Sequence, residues 1–381
     1  MEYREFTQLV ERSPDEAHSA ANKIIETVEA QPKKIIFGMD ESIAMVTNAM
    51  FTPVGYTSAE GVKTLGQAHI LLEGVPGIGK TDIEKLLGLA VRAKFSRIDG
   101  HADLLPRHII GGEIYSTVLG KFFLEKGPIF GNIVLFDEVN RATPVAHAPF
   151  LGAMEERQVV LQRTDLGSGQ MHSEIYPLCP IGDTKKLFFW VQASLNPIDK
   201  GGEGTFPLSA AQLDRFAFSI PMHYPNRDEE KRIRDTNVYG QKIDKVIDLE
   251  TVLAISQFVF ERMTISPDAD EYLQRLIENT RPKKTSPNGS RESASAELCE
   301  FVDMNIERGI SPRTNFIFTA GARMRAFRRS VTTVTVEDVK AVASMVMRHR
   351  LVLTREAKAE GFDFIDDVIK MVLDGTEVYQ L

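Results

Sequence analysis

Gly74-Val75-Pro76-Gly77-Ile78-Gly79-Lys80-Thr81 is the stretch on which the reading of this chain turns. It fits the phosphate-binding loop pattern G-x-x-x-x-G-K-[ST]. The apolar run His69-Ile70-Leu71-Leu72 precedes it and reads as a buried strand, and a helical run from Asp82 to about Ala93 follows. Strand, glycine loop and helix together are the context the pattern needs. Gly74, Gly77 and Gly79 let the backbone turn its N–H groups inward at phosphate oxygens. The helix opening at Lys80 adds the positive end of its dipole. Lys80 then reaches the terminal phosphates, and the Thr81 hydroxyl ligates Mg²⁺. The expected nucleotide-binding run is Gly74, Val75, Pro76, Gly77, Ile78, Gly79, Lys80, Thr81 and Asp82.

Composition bounds the rest. The 381 residues imply two or three domains, and 43% hydrophobic with 26% charged residues is ordinary for a globular chain. A net charge of −8 gives no support for a protein that coats nucleic acid or an anionic membrane. Two cysteines, Cys179 and Cys299, build neither a disulfide framework nor a cysteine zinc site, which suits a reducing cytoplasm. The opening run Met1–Glu5 carries acids and no apolar core, so no secretory signal is expected. No stretch reaches the ~18 consecutive apolar residues of a membrane span.

Outward from the loop, residues 1–32 read as an N-terminal helical segment, with Ser13-Pro14-Asp15-Glu16 as a helix start. Residues 52–67, with Pro53, Gly55, Gly61 and Gly66, read mostly as loop. After a second strand at Lys94–Gly100, residues 101–131 predict a short helix with an inserted hairpin or loop. Residues 159–180 predict a hairpin. Strands over 186–194 and 216–220 complete a set of five that alternate with helices. This is the pattern of a doubly wound parallel sheet. Past Tyr224-Pro225 the apolar spacing turns helical throughout, which predicts an all-α second domain over 225–381 after an α/β core over 33–224.

Asn132-Ile133-Val134-Leu135-Phe136-Asp137-Glu138 has four apolar residues and then two acids, as in a strand buried on both faces that ends at the ligand edge of its sheet. Two readings stand locally. The acids cap the next turn, or Asp137 holds the Mg²⁺ shell beside Thr81 while Glu138 activates the attacking water. Asn196, in Leu195-Asn196-Pro197, is read locally as a turn residue.

Taken together, these motifs resemble the MoxR branch of the AAA+ ATPases over about residues 33–355. The phosphate loop resembles the branch's Walker A. Gly127-Pro128-Ile129-Phe130 and Leu135-Phe136-Asp137-Glu138-Val139-Asn140-Arg141-Ala142 resemble its Walker B, and Met154–Val159 the helix that follows. Ser194-Leu195-Asn196-Pro197 sits where the family has sensor 1. Gly204–Leu208, Ala211–Phe216 and Ile310-Ser311-Pro312-Arg313 match its arginine-finger and sensor 2 regions. Leu195, where relatives commonly have Gln, and Ser209-Ala210, in place of a usual Pro-Glu, depart from the pattern.

The resemblance implies a P-loop core with a five-stranded parallel sheet and a helical lid, binding ATP with Mg²⁺ and hydrolysing it. It gives Asn196 the role of sensor 1 and makes Arg215 a finger reaching the γ-phosphate of a neighbouring subunit. Arg313 then contacts the phosphates of its own subunit from the lid. A finger supplied in trans implies a homo-oligomeric ring, of six. The work implied is chaperone-like remodelling or activation of a client protein, with cofactor or metal insertion as one form and a von Willebrand factor A domain protein as partner. Neither a nucleic-acid partner nor a membrane span is expected, and the location implied is cytoplasmic. The alternative is an ATP-driven nucleic-acid motor, for which Arg323, Arg325, Arg328 and Arg329 form the one dense basic cluster.

Overall fold

The computed structural model describes residues 1–57, 63–74, 79–118, 120–164, 170–181, 187–195, 205–235, 242–284, 294–361 and 363–378. Three helices open the chain: α1 (Tyr3–Arg12), α2 (Pro14–Lys33), with Pro14 in its first turn, and α3 (Asp40–Phe51). An antiparallel hairpin of β1 (Pro53–Thr57) and β2 (Lys63–Gln67) follows, where the sequence reads mostly as loop. Its turn residues carried that reading, but the pairing from Pro53↔Gln67 to Thr57↔Lys63 is made between segments and leaves no local periodicity.

The α/β core then runs β3 (Ile70–Glu73), α4 (Lys80–Ala90), β4 (Phe95–Asp99), α5 (Pro106–Ile110) and a hairpin of β5 (Gly111–Ser116) with β6 (Lys121–Lys126). It continues with β7 (Ile133–Asp137), α6 (Pro144–Glu156), a hairpin of β8 (Gln158–Thr164) with β9 (Met171–Pro177), β10 (Trp190–Leu195), α7 (Ala210–Leu213) and β11 (Phe218–Pro221). The strand expected from residue 186 begins at Trp190. The five expected core strands form one parallel sheet in the order β11-β3-β10-β7-β4. Ile133 to Phe136 are fully buried because helices cover both faces. On one face α4 packs Ile83 and Leu87 against the sheet. On the other, α6 packs Phe150, whose ring meets Phe136 edge-on at 4.8 Å.

The C-terminal lid follows as α8 (Arg227–Asp235), α9 (Leu249–Arg262), β12 (Thr264–Ile265), α10 (Pro267–Asn279), α11 (Ala296–Asn305), β13 (Ile306–Arg308), α12 (Thr314–Arg328), β14 (Thr333–Val334), α13 (Val336–Met347), β15 (Val352–Leu353), α14 (Arg355–Ala359) and α15 (Phe364–Asp374). Asp248, Ser266, Ser295 and Thr354 cap four of these helices through side-chain oxygens. The lid is helical as expected, but not purely so, since β12 pairs with β14 and β13 with β15.

Arg350 and His349 are among the residues that fix the lid on the core. Arg350, just past α13, donates to Asp214 Oδ1 (2.8 Å) and to the carbonyls of Phe216 (2.5 Å) and Ala217 (3.0 Å). Neighbouring His349 places Nε2 2.9 Å from the same Phe216 oxygen. The N-terminal helices also touch the lid. Phe6 packs on Phe258 at 6.0 Å, and Asn22 donates to the Phe327 carbonyl at 2.9 Å.

Candidate functional site

Gly79 opens α4 at φ +83°, a left-handed conformation natural to glycine. Lys80 follows with its side chain buried, and its Nζ donates to the carbonyls of Gly74 (2.6 Å) and Leu195 (3.5 Å). Burial lowers the affinity of this ammonium for its proton, against the pull of Asp137, Glu138 and Glu84. Thr81 sits one residue on, and its hydroxyl lies 3.3 Å from Asp137 Oδ2 at the tip of β7. Val75, Pro76, Gly77, Ile78 and Asn196 lie outside the described residues. Asp82 is in the first turn of α4.

Asp137 is tied on both oxygens. Arg97 of β4 donates to Oδ2 at 2.9 Å, and the Ser194 hydroxyl of β10 donates to Oδ1 at 2.5 Å. Glu138 has left-handed backbone angles, φ 50° and ψ 50°, which cost a non-glycine residue on the order of 1–3 kcal/mol. Its N–H donates to Ser194 Oγ at 2.8 Å, and its carboxylate pairs with Arg141 at 3.0 Å. Gly100 closes the other side: its N–H donates to the Asp137 carbonyl, and a Cβ there would meet the Glu138 oxygen at 2.1 Å. One serine and one glycine thus hold the acidic pair. The Thr81 hydroxyl and Asp137 carboxylate are two hard oxygen donors. That set fits Mg²⁺, which takes few protein ligands and completes its shell with phosphate oxygens and water.

Behind the loop lies a carboxyl that sequence reasoning passed over. Glu84 is fully buried in α4, and neither of its oxygens has a hydrogen-bond partner among the described residues. Burial, with the nearby Asp137 charge, pushes its carboxyl well above the usual range despite Lys80 and Arg97. Ser194 and Arg97 were also missed as site residues. Ser194 had a signal, since it heads the Ser-Leu-Asn-Pro run; Arg97 had none.

The expected arginines sit elsewhere. Arg215 precedes β11, and β11 runs parallel to β3 with Phe218 opposite Ile70. Arg215 therefore lies at the sheet edge where the strands begin, whereas the phosphate loop leaves where they end. From His69 to Gly74 alone the strand covers about 16 Å at ~3.3 Å per residue. Arg313 lies with Arg215. Its Nη2 donates to Glu155 Oε1 at 2.9 Å, and Arg215 donates to Oε2 of the same carboxylate at 3.3 Å. These residues line a cavity of about 390 Å³ with Arg157 and Asp214. In this structure Arg313 lies away from the phosphate loop of its own subunit, at the edge where the strands begin. The lid docks through Arg350 on the Asp214–Ala217 segment, which carries Arg313 to the strand-start edge.

The basic cluster on α12 is spent internally. Arg325 and Arg329 both pair with fully buried Asp338, at 2.5 and 2.6 Å; Arg328 pairs with Glu29 at 3.2 Å, and Arg323 stacks on Phe260.

A parallel sheet with a phosphate loop leaving one strand, an acidic pair ending a nearby strand and a helical lid define a P-loop nucleoside triphosphatase. Comparison with known proteins narrows the class. Residues 69–218 match the ATPase family associated with various cellular activities (AAA), and residues 301–371 match the AAA lid domain. Uncharacterized protein YeaC of Bacillus subtilis is 32% identical over 321 residues, 82% of this chain and 86% of that one. Chaperone MoxR1 of Mycobacterium tuberculosis is 32% identical over 352 residues, 91% and 78% of the two chains. A crystal structure of a protein from Cytophaga hutchinsonii superposes with a TM-score of 0.77 at 29% identity, covering 98% of this chain and all of that one. The chain belongs to the MoxR family of AAA+ ATPases. Among the described residues no helix is long and apolar enough to cross a membrane.

Proposed function

We propose that this ATPase works as a homo-oligomeric ring, a hexamer, in which each ATP is held by one subunit and completed by the next. Lys80 grips the terminal phosphates, and Thr81 and Asp137 hold Mg²⁺. Glu138 orients the attacking water and Asn196 takes the sensor 1 role, while bound Mg²⁺ would supply charge neutralisation at the phosphates. Arg215, joined by Arg313, faces the neighbouring subunit's γ-phosphate. Guanidinium is suited to that task because it stays charged and matches phosphate geometry. The observation that carries this reading is the placement of Arg215 and Arg313 at the sheet edge opposite their own phosphate loop. One subunit alone has both halves of the site and cannot join them.

The parts proposed are an N-terminal helical segment (1–32), the nucleotide-binding core (33–224) and the lid (225–381). Hydrolysis would drive chaperone-like remodelling of a cytoplasmic client, by way of a von Willebrand factor A domain protein or as insertion of a cofactor or metal. The likeness to a protein named chaperone MoxR1 supports that direction.

The test is ATP hydrolysis per subunit as protein concentration is raised. Specific activity should climb steeply as rings form and should need Mg²⁺. Glu138→Gln should still bind ATP while its turnover falls about 100-fold or more, the scale of a lost general base. Specific activity that is independent of concentration contradicts the shared site.

A further inference from the structure

Glu155 occupies the last turn of α6, between two arginines from different parts of the fold. Arg313 comes from the lid and Arg215 from the segment before β11, and each takes one oxygen of the same carboxylate. Both pull this carboxyl below its ordinary range, Arg313 foremost. The other charged groups nearby are committed. Asp214 is engaged by Arg350 at 2.8 Å and by the Ser311 hydroxyl at 3.4 Å. Arg157, also at the cavity, gives Nη1 to the Leu65 carbonyl.

A carboxylate and a terminal phosphate both offer several anionic oxygens to guanidinium N–H groups, so one can stand in for the other between two arginines. We propose that Glu155 holds the place of the neighbouring subunit's γ-phosphate: it keeps Arg215 and Arg313 paired and aimed in the lone protomer and is displaced when the ring closes on ATP. This rests on the shared-site reading above. Glu155 is a positioning residue in this account, since it touches the arginines and not the nucleotide.

Two features fit a releasable latch. The three side chains are partly open to solvent, 41% for Glu155, 34% for Arg215 and 67% for Arg313, so each pair is weak and exchangeable. The helix that carries Glu155 begins just beyond Glu138 and Arg141. Its 13 residues span about 20 Å at ~1.5 Å per residue, so one helix connects the subunit's own catalytic edge with its arginine edge.

The experiment is ATP-driven assembly followed by sedimentation velocity in a Glu138→Gln background, where bound ATP persists. Adding Glu155→Gln should lower the protein concentration at half-assembly by about two- to tenfold, the range expected for releasing two exposed pairs. Glu155→Ala should act in the same direction. The gain should appear only with ATP, and Arg215→Ala combined with Arg313→Ala should remove it, because nothing is then left to release. A residue that merely braces the fold would instead raise the half-assembly concentration. If the parent assembles but the Glu155 variants assemble at an equal or higher concentration, this inference fails alone. If the parent never assembles with ATP, the shared-site reading fails and takes the inference with it.

Discussion

Glu73, the last residue before the phosphate loop, faces Arg348, just past lid helix α13, at 3.6 Å, with 9% and 4% of the two side chains exposed. Arg348 also reaches Asp366 of α15, and Glu73 accepts the Ser219 hydroxyl at 2.7 Å. The root of the phosphate loop and the lid are therefore joined by a buried charge pair that neither local sequence predicts.

Removing one member of such a pair strands a buried charge and costs about 3–5 kcal/mol. Arg348→Met should lower the unfolding free energy by roughly that amount in urea titrations. The double variant Glu73→Gln/Arg348→Met should recover most of the loss. Equal losses in the single and double variants would show that the pair is not what Arg348 contributes.

Glu84 makes a pH prediction of definite sign. Its folded carboxyl holds a proton well above the ordinary value of 4.5. As pH rises above 4.5 the unfolded chain releases that proton while the folded chain keeps it. Stability from this group is thus full below 4.5 and falls by about 1.4 kcal/mol per pH unit until the folded carboxyl also ionises. Glu84→Gln keeps the shape without the proton. The variant should be more stable than the parent at pH 7, with the gap shrinking toward pH 4.5. A gap that stays constant with pH would count against a neutral Glu84.

His69 runs the other way. Burial lowers it from 6.5 to about 4, with its ring accepting from the Val191 N–H at 3.0 Å and sitting 3.3 Å from the Met154 carbonyl. Stability from this neutral ring is full above pH 6.5 and is lost as pH falls toward 4, because the unfolded chain takes up the proton first. A ring-proton NMR titration should show His69 uncharged at pH 5.5, where an exposed histidine is already mostly protonated.

The α12 arginines predict weak nucleic-acid binding. Three of the four are paired, two of them on buried Asp338. A DNA- or RNA-binding titration should find little affinity at physiological salt. Tight binding with a steep salt dependence would revive the motor reading.

How much of this was legible in advance depends on range. The phosphate loop, the β7 acids and the five core strands are local patterns, and each can be read within a dozen residues. The hairpin of β1 and β2 was not, because Pro53, Gly55 and Gly66 speak for turns while the pairing is between segments. Glu84 looks like any polar helix residue until the sheet covers it. For Arg313 the motif names the residue and not its surroundings. Its position depends on where Arg350 seats the lid, a contact 136 residues apart in the chain.

The central claim is a catalytic site divided between subunits, and subunit mixing tests it most directly. Arg215→Ala subunits keep Lys80, Thr81, Asp137 and Glu138 but offer no finger. Glu138→Gln subunits offer a finger but cannot activate water. Each variant alone should be nearly inactive. Mixed in equal amounts, they should recover a substantial fraction of parental ATP hydrolysis, because some interfaces then join an intact Glu138 to an intact Arg215. Mixed rings that form and remain as inactive as either variant alone would contradict the divided site.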